Sequence, residues 1–218
     1  MKPFIIHSDA KEIIQNQLPP KVRSNVCSIV ERAYTLTSEA IKHTTILNWE
    51  LGHLHEGYLR NLAIGYLFQQ QIELKQLPLT YTYEYNRNRS HKYLILSYNN
   101  VKMTFSQVNS RYDIARPAYF RNKLEMANQG TMIFPDIDDV PSQDQEECYL
   151  LLTFSRGGHL PKFVNIGLPH LWRERIDLLQ EPRIFDINQE ILEEEVIEQE
   201  NLIEFRNFTK EVEGLGNS

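Results

Sequence analysis

The feature that most constrains this chain is a change of hydrophobic period at Pro78. Before it, apolar residues recur every three or four positions, the repeat of one helix face. After it they recur every two, the repeat of a strand. Ser8-Asp9 reads as a helix start, with Ile13, Ile14 and Leu18 as a buried stripe that Pro19-Pro20 ends. Val22, Val26, Ile29, Ala33, Leu36 and Ala40 then line one side of a helix over about 21–43. A third helical segment covers about 47–77, with Leu51, Leu54, Tyr58 and Leu62 on one side. Gly52, Gly57 and Gly65 each cost roughly 1 kcal/mol there relative to alanine. They imply close helix packing or a break into two helices.

Tyr81, Tyr83 and Tyr85 alternate with Thr82 and Glu84, a strand with its aromatics on one face. Residues 93–98 and 101–106 flank Asn99-Asn100, a pair suited to a type I′ hairpin turn. That register sets Tyr98 against Val101, Leu96 against Met103 and Leu94 against Phe105. Arg116-Pro117 disfavours helix at 116, a short helix fits 119–128, and Gly130 stops it. The Asp-rich 136–147 stretch reads as an exposed loop. A second hairpin is predicted from 149–154 and 162–166 across Arg156-Gly157-Gly158-His159, and a helix over 171–179 between Pro169 and Pro182. The expected fold class is α+β: N-terminal helices (about 1–77) packed on a mainly antiparallel sheet of about five strands (about 79–166), with an acidic C-terminal helix. The expected boundaries are one domain over 1–185, an acidic amphipathic helix over 186–213 and a frayed tail over 214–218.

Charge is sorted into blocks along this framework. Between Glu84 and Thr131 stand eight Lys or Arg residues against three carboxylates, and between Asp186 and Glu213 ten acids against two bases. The formal net charge of −6 therefore hides a slightly basic body with an acidic end, an arrangement that concerns partners or self-contact. A sequence pI near 5.7 argues against a whole-surface nucleic-acid binder while leaving room for a local basic groove. The three-residue apolar run at the start is too short for a signal-peptide core, and no apolar window approaches 18 residues. Cys27 and Cys148 stand alone and far apart, which predicts two reduced, buried thiols. A cytoplasmic protein with no membrane contact is expected.

No catalytic or cofactor signature of high specificity occurs, so the sequence assigns no enzyme class and no cofactor or metal is expected. His53 and His55 lie about 200° apart on a helix and cannot share an ion. His53, Glu56 and Arg60 share a face and read as ordinary surface pairs. A helix bearing an acid, followed by three antiparallel strands, is compatible with metal-dependent nucleases of the PD-(D/E)xK kind. That chemistry needs carboxylates converging on Mg²⁺, and the strands over 91–98 and 101–108 contain none. The likeness stops at topology. Arg156-Gly157-Gly158-His159 offers backbone N–H groups to an anion but is more simply a turn.

The richest constellation is basic and aromatic. His91 sits in Arg87-Asn88-Arg89-Ser90-His91-Lys92 beside the tyrosine strand, and Arg111, Tyr112, Arg116, Tyr119, Arg121 and Lys123 follow. Cations hold a phosphate backbone and aromatic rings stack unpaired bases. The expectation is a nucleic-acid-associated protein, a candidate metal-independent nuclease. Arg87, Arg89, Lys92, Arg111, Arg116, Arg121 and Lys123 would bind RNA or DNA, and His91 is the acid–base candidate. The alternative is a non-catalytic protein-interaction partner, an inhibitor or one half of a small complex, acting through its acidic surface and 186–213.

Overall fold

The computed structural model describes residues 4–5, 10–128, 132–133 and 147–184. The architecture belongs to the unit Met1–Pro182. The expected acidic helix, the tail, the 136–146 part of the Asp-rich loop, the Ser8-Asp9 helix start and the Gly130 stop lie outside the described residues.

Helix α1 spans Ala10–Gln17 and α2 spans Pro20–His43. Pro20 occupies the first turn of α2, where its fixed φ suits a helix and its missing N–H is no loss. Lys42 and His43 in the last turn complement the helix dipole. The buried stripe of α2 runs through Val22, Val26, Ile29, Val30, Ala33, Tyr34, Thr37 and Ile41, so Ala40 of the expected stripe faces solvent. The third segment breaks into α3 (Glu50–His53) and α4 (Glu56–Glu73). Its expected apolar side is the outer one: Leu51, Leu54, Tyr58 and Leu62 are each half exposed or more. The face turned inward carries Arg60, Ile64, Leu67, Phe68 and Gln71. Both sets obey the 3–4 spacing, so periodicity alone did not decide which one the sheet would cover.

The strands among the described residues are β1 (Phe4–Ile5), ahead of α1, and, after the helices, β2 (Thr80–Tyr85), β3 (Lys92–Tyr98), β4 (Val101–Val108), β5 (Met132–Ile133), β6 (Cys148–Ser155), β7 (Val164–Gly167) and β8 (Ile176–Asp177). β1 and β5 form a two-residue ladder. The rest form one six-stranded sheet in the order β2-β3-β4-β6-β7-β8. The protein is thus α+β with a mostly antiparallel sheet, one strand wider than expected. The additional strand, β8, lies where a helix over 171–179 was predicted. The chain instead makes a 3₁₀ turn over Pro169–Glu174 and then pairs with β7.

The β3–β4 hairpin has the expected register at Leu96↔Met103 and Tyr98↔Val101. Only Asn99 takes a positive φ (49°), so the turn lacks the second left-handed residue of type I′. β4 and β6 pair in parallel over eight positions, from Val101↔Cys148 to Val108↔Ser155. A parallel pair demands a crossover, and residues 109–147, with α5 (Tyr119–Glu125), supply it. All eight residues of β6 are buried, the pattern of a strand covered on both faces.

Alternation assigns the two faces. Leu94, Leu96, Met103, Leu150, Leu152, Phe154, Val164 and Ile166 join Ile14, Val26, Val30, Ile64 and Phe68 in one core beneath the helices. Tyr93, Thr104, Tyr149, Leu151, Thr153 and Asn165 therefore point to the other face, where Leu151 clusters with Ala115 and Trp172. Cys27 and Cys148 are buried and free, and burial pushes the Cys148 thiol up to about 12. No helix among the described residues is long and apolar enough to cross a membrane.

Candidate nucleic-acid interface

Much of the basic segment is attached to the face opposite the helices, but Lys92 is not: it pairs with Tyr85 in the row of Leu94 and Leu96, on the helix side. Pro117 disfavours helix at Arg116, and extended Ala118 (φ −144°, ψ 145°) leads into α5. Phe120 of α5 stacks on Tyr93 of β3 with centroids 3.8 Å apart and planes 22° from parallel. The Arg121 guanidinium lies 4.8 Å from the Phe120 centroid and donates through Nη1 to the Arg116 carbonyl at 2.7 Å. Burial lowers the Arg121 pKa, with nearby Tyr149 acting the other way. Below it, the Tyr149 hydroxyl bonds Thr104 Oγ1 at 2.7 Å, and burial raises the Tyr149 pKa. Asn128 closes the segment: its side chain donates to the Tyr149 carbonyl and accepts from the Tyr149 N–H, both at 2.7 Å.

The turn between β2 and β3 meets this segment. Asn86 Oδ1 accepts from the Ser90 N–H (2.9 Å) and the His91 N–H (3.3 Å), folding the loop tightly. Arg89 sits in the left-handed region (φ 54°). The Arg87 guanidinium reaches the Tyr119 ring, 5.8 Å from its centroid, and Lys92 Nζ lies 5.0 Å from that of Tyr85. Arg87, Arg116 and Arg121 are thereby brought to the α5 side of the sheet. The Arg89 and Lys123 side chains are exposed and make no ion pair or ring contact among the described residues.

Arg111 is placed elsewhere. Its carbonyl accepts from Asn165 Nδ2 at 2.9 Å, which ties the start of the crossover to β7. From β3 to β7 is three strand spacings, about 14 Å. Arg173, Arg175 and Asp177 surround that same point and were absent from the sequence-predicted set. Read as one helix over 171–179, Arg173 and Arg175 diverge by about 200°; the 3₁₀ turn and strand bring both to one cavity. None of the seven predicted phosphate ligands forms an ion pair among the described residues. His91 is exposed, and its imidazole has no hydrogen-bond partner among them. No group of three or more His, Cys, Asp or Glu suited to a metal occurs among the described residues.

Sequence reasoning also misplaced Arg60. It is fully buried, not a surface pair member, and its guanidinium carbon lies 4.0 Å from the Tyr34 centroid. It pairs with Glu56 and donates to the Gly158 carbonyl at 3.1 Å, while Nε and Nη1 have no partner among the described residues. Gly157 (φ 70°) and Gly158 (φ 85°) make that carbonyl available in a left-handed turn, the role expected of them. Its signal was in the sequence: position 60 is in phase with Ile64, Leu67, Phe68 and Gln71. Tyr34 completes the cluster by donating to the Ser155 carbonyl, and burial raises its pKa.

No protein-family model matches this chain, and neither a curated protein nor a solved structure is significantly similar to it.

Proposed function

We propose that this protein binds single-stranded RNA or DNA across the sheet face that carries α5 and the β2–β3 turn. The supporting observation is the state of its cations. On that face Arg87 and Arg121 lie on the rings of Tyr119 and Phe120, and none of the seven basic side chains is neutralised by a carboxylate among the described residues. Cations held by rings remain free to meet phosphate, and the exposed ring of Tyr119 offers stacking surface to bases. His91, beside Arg87 and Arg89, is where an acid–base group would meet a bound backbone.

The test is affinity for a fixed single strand at two salt concentrations. Each phosphate contact contributes about 0.7 to the slope of log K against log salt. Arg87→Ala/Arg89→Ala/Lys123→Ala removes three exposed cations and should lower that slope by about 2. Unchanged slope and affinity in this variant would end the reading. Strand cleavage lost in His91→Ala would add catalysis to it.

A further inference from the structure

Arg111, Asn165, Arg173, Arg175 and Asp177 line a cavity of about 140 Å³ at the β7–β8 side of the sheet. A single water needs about 10–15 Å³ of such space, so the cavity has room for a polyatomic ion with water beside it. Besides Asn165, its lining residues are three arginines and one aspartate, an excess of two formal positive charges. Like charges gathered on one cavity oppose folding unless something offsets them. The one carboxylate is already engaged, because Asp177 Oδ1 accepts from the backbone N–H groups of Val164 (3.3 Å) and Leu179 (3.2 Å).

The wall is built rather than accidental. Asn165 forms it from a buried position on β7, 1% exposed. Arg175 is held from three sides. Its Cβ lies against Gly167, where a Cβ on the glycine would come within 2.9 Å; its Nη1 donates to the Trp172 carbonyl at 3.2 Å; and its guanidinium carbon lies 5.0 Å from the Tyr112 centroid. Arg111 and Arg173 are exposed, and neither forms an ion pair among the described residues. Beside this wall Thr153, directly across from Asn165 in the β6–β7 register, has a buried hydroxyl without a hydrogen-bond partner among the described residues.

We propose that this cavity binds a phosphoryl group. Guanidinium forks pair with phosphate oxygens in a planar, bidentate manner that ammonium groups do not reproduce. A phosphate monoester carries nearly two negative charges and three terminal oxygens, matching an excess of two and three arginines. The pocket goes beyond the strand-binding reading, since it holds one group and not a backbone; only Arg111 is common to both. The phosphoryl group has two possible sources, the end of a nucleic-acid strand or free phosphate.

The experiment has two arms on the full chain. In the first, inorganic phosphate and chloride are compared at constant ionic strength by thermal unfolding and phosphorus NMR. Phosphate should stabilise the protein more than chloride, with apparent affinity falling about tenfold in Arg173→Gln. Arg173→Lys, which keeps the charge and loses the fork, should fall between them, as a folded control at an exposed site. In the second, otherwise identical single strands ending in phosphate or hydroxyl compete for the protein. Preference for the phosphorylated end, lost in Arg173→Gln, assigns the strand end as source; equal strands with phosphate bound in the first arm assign free phosphate. Phosphate no better than chloride, or binding unaltered in both Arg173 variants, overturns the proposal. The first arm contains no nucleic acid, so its failure is separate from a failed salt slope.

Discussion

The two faces of the sheet are stabilised differently. The helix-covered face is an apolar core in which Leu96, Leu150, Leu152 and Phe154 lose essentially all solvent contact beneath α2 and α4. The opposite face is closed by one short helix and an extended chain. It relies on discrete attachments: the Phe120–Tyr93 stack, the Asn128 clasp on Tyr149 and the Asn165 bond to Arg111. The helix side admits the Arg60 cation only beside Glu56, the Gly158 carbonyl and the Tyr34 ring, whereas a clasped cover leaves cations at its rim. The face that contributes least to the core is thus the one able to present Arg87, Arg121, Arg173 and Arg175.

That contrast can be broken by substitution. Phe68→Ala, in the helix-side core, should cost about 3–5 kcal/mol in urea unfolding through lost burial and the cavity left behind. Phe120→Ala, which removes the main aromatic attachment on the other face, should cost about 1–2 kcal/mol. Equal losses would mean that the outer face is a second core and not a cover. Between these, Gly167→Ala places a Cβ 2.9 Å from the Arg175 Cβ and 3.1 Å from the Trp172 ring. A cost of about 1–3 kcal/mol is expected from overpacking, with phosphate stabilisation weakened in parallel.

The smallest effect concerns alkaline pH. Burial, then the hydrogen bond to Glu84, raises the Tyr93 pKa from 10.0 to about 12. Between those values the unfolded chain has released this proton and the folded chain has not, so stability falls as pH rises from about 10 to about 12. Tyr93→Phe should therefore flatten the alkaline decline of the urea midpoint relative to the unsubstituted protein. An identical decline in both would remove the tyrosine from the account.

Local signals carried the elements well. Pro19-Pro20, the change of period at Pro78, Asn99-Asn100 and Gly157-Gly158 each mark a boundary that the chain observes, because a missing N–H or an accessible positive φ acts within a few residues. The α4 stripe failed for a long-range reason. Leu54, Tyr58 and Leu62 form as regular a row as Ile64, Phe68 and Gln71, and only the position of the sheet decides which is covered. Arg60 was misread for the same cause: a charged side chain on the buried row is legible only once that row is known.

By itself, the sequence determined the long helices before Pro78, the β2–β3–β4 and β6–β7 strands after it, and a stretch rich in cations and aromatic residues, since period and composition are local properties. Only the tertiary structure decided that β4 and β6 run parallel, that 109–128 crosses the face away from the helices, and that Arg111 meets Arg173 and Arg175. Strand order and crossover side depend on burying both faces of β6 at once, a condition that no window of neighbouring residues contains.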